Sequence, residues 1–597
     1  MSTCSTRSGA GVVYCLVAVI LALCSAFTQP AAAQTLAFTN ETVRAGLTFT
    51  HTQGPRYGFL GAGGVAADFN NDGYIDLFVL GGGGDPDALF INNGINQQGH
   101  VTFTDQAQQW GVNFRHHSFG VSAVDFNNDG FVDLYITSYG PVPGNPIAGR
   151  HKLLRNNGPD AEGNWSFTDI ALAAGVHLLR PGLVDGTGSA WGDYDLDGDL
   201  DLFVASYQRG QPGNRLFRND GLNAQGVWIF TDVTNVAGLH HTQIAGFIPG
   251  FVDMNGDGYP ELLLVADSGT SKYYINNRNG TFTVATHLCN GIESANGMGS
   301  AIGDINADGR LDWYVSGSWY DFLQGPGNVL MVASPHGDFV NIAPGTPVQN
   351  GGWGWGVLIV DLDHDTRPDL VETNGWLGEY LGEQSYLLRN LGGLQFQEVA
   401  LQVGFEHHGQ GRGLIRFDAD NDGDQDLVIF SCGEPLAFFE NHLITPGGPT
   451  PTNANWINIK FDTRQRATVP PHGIGTVLQI TAGGLTQTVH ITSSFSHASQ
   501  SEIGAHVGLG TATTIDILRI RYPDGSIRTY TNIPANQHLL IHTPAHRADF
   551  DGSGTLDVAD VQAIVIAWQA RDLAADHNGD WILDFFDILH FLRDFSN

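Results

Sequence analysis

The stretch Asp68-Phe69-Asn70-Asn71-Asp72-Gly73-Tyr74-Ile75-Asp76 decides the fold. Oxygen-bearing side chains stand at positions 1, 3, 5 and 9 of this run, glycine at 6 and Tyr74 at 7. A hard cation takes about six to eight oxygen ligands and suits this spacing, with position 7 supplying only its backbone carbonyl. Glycine at 6 permits the sharp turn around the ion.

The run recurs six more times. The second copy is Asp125, Asn127, Asp129, Phe131 and Asp133; the third is Asp193, Asp195, Asp197, Asp199 and Asp201. The fourth is Asp253, Asn255, Asp257, Tyr259 and Glu261; the fifth is Asp304, Asn306, Asp308, Arg310 and Asp312. The sixth is Asp361, Asp363, Asp365, Arg367 and Asp369, with Thr366 in place of glycine and Pro368 after it. The seventh is Asp418, Asp420, Asp422, Asp424 and Asp426. Their first residues are 57, 68, 60, 51, 57 and 57 positions apart, a period that marks a repeat architecture. Position 7 runs from tyrosine to arginine to aspartate, as a backbone-only ligand allows. Loop six, lacking its glycine, is expected to be the least securely filled of the seven.

These loops are not EF-hands, which need a bidentate acid at position 12 followed by a helix. Position 12 is Val79, Ile136, Val204, Leu264, Val315 and Ile429 in six loops and Glu372 in the sixth. Exits such as Leu77-Phe78-Val79-Leu80 read as buried strands, so each ion is expected in a strand-loop-strand hairpin. A second marker repeats out of phase: Phe38, Phe103, Phe167, Phe230, Phe282, Phe339 and Phe396 each begin an aromatic strand. The first marker precedes the first loop and none follows the last turn near Glu440-Asn441. The N-terminal strand is therefore expected to complete the last repeat, which closes a ring and hides its edges. The fold class is mainly β, with a seven-bladed β-propeller over residues 34–445.

Composition agrees. The 597 residues exceed one core, glycine is abundant at 78, and the formal net charge is -34. That charge argues against nucleic acid and anionic membrane as partners. Arg7, the apolar run Gly11 to Phe27 and Ala31-Ala32-Ala33 read as a signal peptide over residues 1–33, hence a secreted or cell-surface protein with no membrane span in the mature chain. Only Cys289 and Cys432 lie beyond it, too few for a disulfide framework, and they read as small buried hydrophobes.

The repeats resemble the FG-GAP/VCBS repeats of integrin α-type propellers, a likeness that implies calcium in the hairpin loops and protein or glycan contacts. Residues 453–543 alternate as a small all-β domain. Its stretches Gly473-Ile474-Gly475, Ser499-Gln500-Ser501, Val507-Gly508-Leu509-Gly510 and Tyr522-Pro523-Asp524-Gly525 resemble the ASPIC/UnbV family, with Tyr522 where that family has tryptophan. Together they look like the architecture of the cartilage-acidic-protein type.

From Asp549 the loops change type. One has Asp549, Asp551, Ser553, Thr555, Asp557 and Asp560; the other has Asp576, Asn578, Asp580, Ile582, Asp584 and Asp587, with Trp581 where glycine is expected. Position 12 is now acidic, and a helical face follows each: Val561, Ile564, Val565 and Trp568, then Ile588, Phe591, Leu592 and Phe595. The two units are offset by 27 residues. Residues 547–597 resemble a type I dockerin, a small α-helical, EF-hand-like domain. The likeness implies two calcium ions and a cohesin-like partner at Val558-Ala559 and Phe585-Phe586.

The nine loops hold 34 of the 61 acids, so up to nine calcium sites are expected and folding should be linked to the ion. Histidines recur after the aromatic strands: His51, His116-His117, His177, His240-His241, His287 and His407-His408. They are either a second metal or pH-sensitive surface, or loop residues capping strand ends. The function expected is a non-catalytic adhesion or scaffold protein binding an extracellular protein or glycan, its tail serving attachment. The alternative is a lyase, glycosidase or accessory subunit in polysaccharide degradation. No carboxylate pair stands apart from the loops to serve glycoside chemistry.

Overall fold

The computed structural model describes residues 36–596 apart from 53–57, 141–148, 179–185, 208–212, 320–325, 445–450, 452, 494, 547, 551–552, 554 and 579–581. The expected signal peptide, Asp551, Asp580 and Trp581 therefore lie outside the described residues.

Between residues 38 and 441 the described strands form seven antiparallel sheets of four strands each. Sheet one is Gly64–Ala67, Asp76–Val79, Ala88–Ile95 and Val101–Asp105. Its first two strands pair Gly64 with Val79 and Ala67 with Asp76, so the acidic run is the hairpin between them. Each of the next five sheets repeats this order along the chain. Sheet seven is completed from the N-terminus: Phe38–Asn40 pairs with Ala437–Asn441, Phe38 opposite Asn441 and Asn40 opposite Phe439. The closure read from the strand count is thus present. The seven aromatic markers all fall in the outermost strands of their sheets.

The second strands are buried on both faces because neighbouring sheets pack on each side; Leu77, Phe78 and Val79 are all at most 1% exposed. This is why their sequence shows continuous apolar runs rather than alternation.

Residues 455–542 form two further sheets. Asn455–Asp462 lies between Ala505–Gly510 and, in parallel, Gln537–His542. The other sheet runs Leu485–His490, Val477–Ala482, Thr514–Arg521, Ile527–Pro534. Ile457, Ile459, Leu478, Ile480 and Leu518 fill the core between them, which continues into Val124, Trp191 and Leu202 of sheets two and three. Tyr522 belongs to that core and is fully buried.

The tail contains helices Val558–Gln569 and Phe585–Phe595. Asp557 and Asp584 cap them, and each cap is closed by the acid three residues on, Asp560 or Asp587. Ile564 and Phe591, 27 positions apart, are fully buried against one another's helix with Ala548 and Ala575. The expected helical faces hold, with one correction: Leu592 is exposed, because Phe591 already fills that side of the second helix. Among the described residues Cys289 and Cys432 are free and buried.

Candidate metal centres

One hydrogen-bond pattern shapes the hairpin loops. The carboxylate at position 1 accepts from the amides of positions 5 and 6: Asp68 Oδ1 from Asp72 N at 3.1 Å and Oδ2 from Gly73 N at 2.9 Å. The position 5 carboxylate accepts from the amide of position 7, as Asp72 does from Tyr74 N at 2.9 Å. These bonds curl the backbone so that the side chains converge.

Position 9 has a structural job besides the one its spacing suggests. Asp76 is fully buried and accepts from Phe69 N at 3.0 Å and Asn92 N at 2.8 Å. Asp133, Asp312 and Asp426 repeat this bridge with Asn156, Ala333 and Asn441 on the third strand. The carboxylate locks the loop to its own sheet. Each oxygen keeps a second lone pair for a cation.

Position 3 divides the loops into two kinds. Where it is asparagine, the amide nitrogen satisfies a neighbouring carboxylate: Asn70 Nδ2 to Asp72 at 2.8 Å, Asn127 to Asp129 at 2.9 Å, Asn306 to Asp308 at 3.0 Å, and Asn255 to Glu261 at 2.8 Å. Where it is aspartate there is no such donor. Carboxylate oxygens of Asp193, Asp195 and Asp197, of Asp361, Asp363 and Asp365, and of Asp418, Asp420 and Asp426 lie within 4.8 Å of one another. Asp195 Oδ1, Asp418 Oδ1 and Asp422 Oδ2 are buried without a hydrogen-bond partner. Burial first, then the neighbouring carboxylates, pushes Asp193 up to about 8, and Asp422 also to about 8. Three acidic clusters are thus arranged so that they could hold a metal ion.

Loop six keeps its shape without glycine. Thr366 takes the left-handed conformation, φ 78°, and its amide reaches Asp361 at 2.8 Å as a glycine's would. Its cluster is as tightly gathered as the other two. The departure from expectation lies elsewhere: Arg389 pairs with Asp363 and comes within 3.6 Å of Asp365, which Arg367 also holds.

The middle domain covers the face that carries the loops. Arg521 pairs with Asp253 at 3.1 Å and His538 with Asp418 at 3.4 Å. His472 Nε2 accepts from Asp125 N at 3.1 Å, and Gly510 N donates to His364 O at 2.9 Å. A β-carbon on Gly198 would stand 2.0 Å from Ala467 O, and one on Gly423 1.8 Å from Trp456. Lys460 acts on Asp68, and Thr488 stands over Gly309.

From this domain Ser493 and residues 495–501 enter the centre of the seven sheets. Gln500 pairs with Ala66 and Gly64 of sheet one and, through its side chain, with Ala123 of sheet two at 2.7 and 3.1 Å. Ser493 receives Trp191 N of sheet three. Phe495 fills the space beside Gly250 of sheet four. His497 contacts Met298 O, just ahead of sheet five, at 2.8 Å, and its ring is 4.8 Å from Trp355 of sheet six. Ser496 donates to Leu414 O of sheet seven at 2.7 Å. Ser496 and Ala498 have φ of 144° and 55°, a strain that these contacts hold in place. The one sequence trace of this plug is a run of small hydroxyl residues without apolar alternation.

The recurring histidines divide: His51, His116, His117 and His407 are buried, His177 and His241 are half-buried, and His240, His287 and His408 are exposed. His51 Nδ1 lies 2.9 Å from Leu80 O, His116 pairs with Asp87 at 3.3 Å, and His407 sits 3.0 Å from both Ser385 and Ser431. Burial holds His51 and His407 down at about 4. Among the described residues no group of three metal-capable side chains includes a histidine. In the tail, Asp560 accepts from Phe550 N at 2.7 Å and Asp587 from Asn578 N at 3.3 Å. Val558, Ala559, Phe585 and Phe586 are exposed, the two phenylalanines by 63% and 61%.

Antiparallel hairpins alternate ends, so the connections between second and third strands lie opposite the acidic loops. There Trp376 stacks on Trp353 at 4.8 Å and meets Phe59 at 5.2 Å, and Tyr380 donates to Trp319 O at 3.1 Å.

Comparison with known proteins gives matching families for two of these regions. The FG-GAP-like repeat matches residues 68–136, 193–264 and 253–315, and the ASPIC and UnbV family matches 467–548. Cartilage acidic protein 1 of Mus musculus is 24% identical over 530 residues, 83% of this chain and 76% of that protein. The Homo sapiens protein of the same name is 24% identical over 498 residues, 78% of this chain and 69% of that protein. Among solved structures, a lectin of Agrocybe aegerita described as recognising non-reducing terminal N-acetylglucosamine has 17% identity and a TM-score of 0.35, covering 62% of this chain and 92% of its own. No described helix is long and apolar enough to cross a membrane.

Proposed function

We propose that this is a secreted, non-catalytic adhesion or scaffold protein built on a seven-bladed, calcium-loaded β-propeller. The observation that carries the metal reading is the set of buried carboxylate oxygens without partners in loops three and seven. A cation of charge two would satisfy them through oxygen ligands alone, which suits calcium better than softer metals. The residues that would hold it are the acids of positions 1, 3, 5 and 9 and the backbone carbonyl of position 7.

The loop face is occupied by the middle domain, so binding of an extracellular protein or glycan falls to the opposite face. There the half-buried Trp319, Trp353, Trp376 and Tyr380 offer flat aromatic surface. The tail serves attachment through Val558, Ala559, Phe585 and Phe586, with buried Asp549, Asp560, Asp576 and Asp587 as ligands of its own ions. A panel of matrix proteins and immobilised glycans tests this. Trp376→Ala should lose capture of whichever ligand the wild type retains, while deletion of residues 547–597 should leave that capture intact. A wild type that releases reducing ends or unsaturated products from polysaccharides would overturn the non-catalytic reading.

A further inference from the structure

In sheets three, six and seven a charged residue stands just before the third-strand bridge to position 9 and interacts with the loop's carboxylates. In sheet six this is Arg389, ahead of Asn390, whose amide reaches Asp369 at 2.8 Å. Arg389 pairs with Asp363 and lies 3.6 Å from Asp365, so a guanidinium charge sits beside positions 3 and 5. In sheet three it is Arg218, which stands ahead of Asn219, pairs with Asp220 at 2.7 Å and is also within electrostatic reach of Asp195. In sheet seven the same register holds Glu440, ahead of Asn441, whose amide reaches Asp426 at 2.8 Å. Where loops three and six place a cation, loop seven places another anion.

Glu440 is only 6% exposed, and its Oε2 is buried without a hydrogen-bond partner. Its charge is felt by Asp422, whose Oδ2 is likewise buried and unpartnered, and it feels Asp420 in turn. On its other side Arg44 pairs with Glu41 while also acting on Glu440 at longer range, and His442 Nδ1 stands 3.7 Å from Oε1, which leaves Oε2 unpartnered. Loop seven therefore gathers Asp418, Asp420, Asp422, Asp424, Asp426 and Glu440 in one place. Facing them are His538, 3.4 Å from Asp418, and Lys460, within electrostatic reach of it; with these and a single divalent ion, negative charge still remains uncompensated on the Asp422 and Glu440 side.

We propose that loop seven holds a second divalent cation between Asp422 and Glu440, with Asp420 as a bridging carboxylate, in the position that the Arg389 guanidinium takes in sheet six. This rests on the metal reading of the loops. It adds Glu440, a residue outside the repeated run. Glu440 lies opposite Thr39 of the N-terminal strand, so the second ion would sit at the seam that closes the ring.

Two measurements test it. The first is calcium stoichiometry of the full chain by equilibrium dialysis, for wild type, Glu440→Gln and Glu440→Arg, the last supplying the charge that sheet six carries. Both variants are expected to bind one ion fewer than wild type, and Glu440→Arg to melt higher than wild type in chelator. Equal stoichiometry in all three overturns the second site and leaves the loop reading standing; a wild type that binds no calcium overturns both. The second uses wild-type crystals grown with cadmium. Two anomalous peaks roughly 4 Å apart are expected in loop seven, and one peak or none overturns the proposal.

Discussion

Loop one and loop three share a backbone and differ in what they do with charge. In loop one three acids surround Asn70, whose amide nitrogen donates to Asp72 at 2.8 Å, so the loop satisfies part of its own charge. In loop three five aspartates stand together, Asp195 Oδ1 has no partner, and burial pushes Asp193 up to about 8. One atom at position 3, nitrogen instead of oxygen, separates a loop that can close on itself from one that cannot. The lesson is that seven copies of a motif need not be seven equal sites. Loops three, six and seven carry the greater demand for a cation, and loop six meets part of it with Arg389 and Arg367.

Removing divalent ions should break the comparison most forcefully. A site held at one hundred times its dissociation constant adds about 2.7 kcal/mol, which is about 2 °C for a chain of this size, so loss of five or more such sites together is expected to lower the melting temperature by about 10 °C or more. No shift between calcium and chelator would remove the metal reading altogether. The effect should depend on pH with a definite sign. Asp193 and Asp422, raised to about 8 by burial and neighbouring carboxylates, favour the metal-free fold only while protonated. That contribution is whole below their ordinary value near 3.8 and is lost as pH rises toward 8. Calcium should therefore raise the melting temperature more at pH 8 than at pH 5, with protons released on binding; calorimetry in two buffers of different ionisation enthalpy measures this.

Gly423→Ala should be the costliest single change in a loop, about 3 kcal/mol, since its φ is 102° and a β-carbon would meet Trp456. Denaturant unfolding in saturating calcium reads it. Asp195→Asn converts loop three toward the loop-one kind. We expect it to stabilise the metal-free protein by about 1 kcal/mol and to weaken the calcium response; Asn70→Asp should do the reverse. If both substitutions shift the two states alike, position 3 does not divide the loops. Thr366→Gly, the smallest effect, should relieve about 1 kcal/mol of left-handed strain without changing metal stoichiometry.

Much of the architecture was legible because repetition writes it into the chain. The hairpins followed from valine, leucine and isoleucine at position 12, and the ring closure from the offset between Phe38 and the last turn. The tail duplication followed from the 27-residue offset that brings Ile564 and Phe591 into one core. The spacing of position 9 does not reveal that Asp76 also bridges two strands, a bond that depends on where Asn92 arrives. Of the histidines after the strands, His51, His116, His117 and His407 are buried polar groups while His240, His287 and His408 stay exposed, a division the sequence does not show because it depends on what packs above each loop.

The amino-acid sequence by itself determined the local units: which runs turn, which extend, and which gather oxygen ligands. Those depend on interactions within a few residues, and they recur wherever the run recurs. Only the tertiary structure decided which loops are short of positive charge, that the middle domain covers their face, and that Ser493 and residues 495–501 fill the centre of the seven sheets. Arg389 and Glu440 come from a different strand than the acids they face, and His497 reaches Met298 across 199 positions. Such contacts are set by how separate elements close in space, and the electrostatics of each loop depends on what arrives there from elsewhere in the chain.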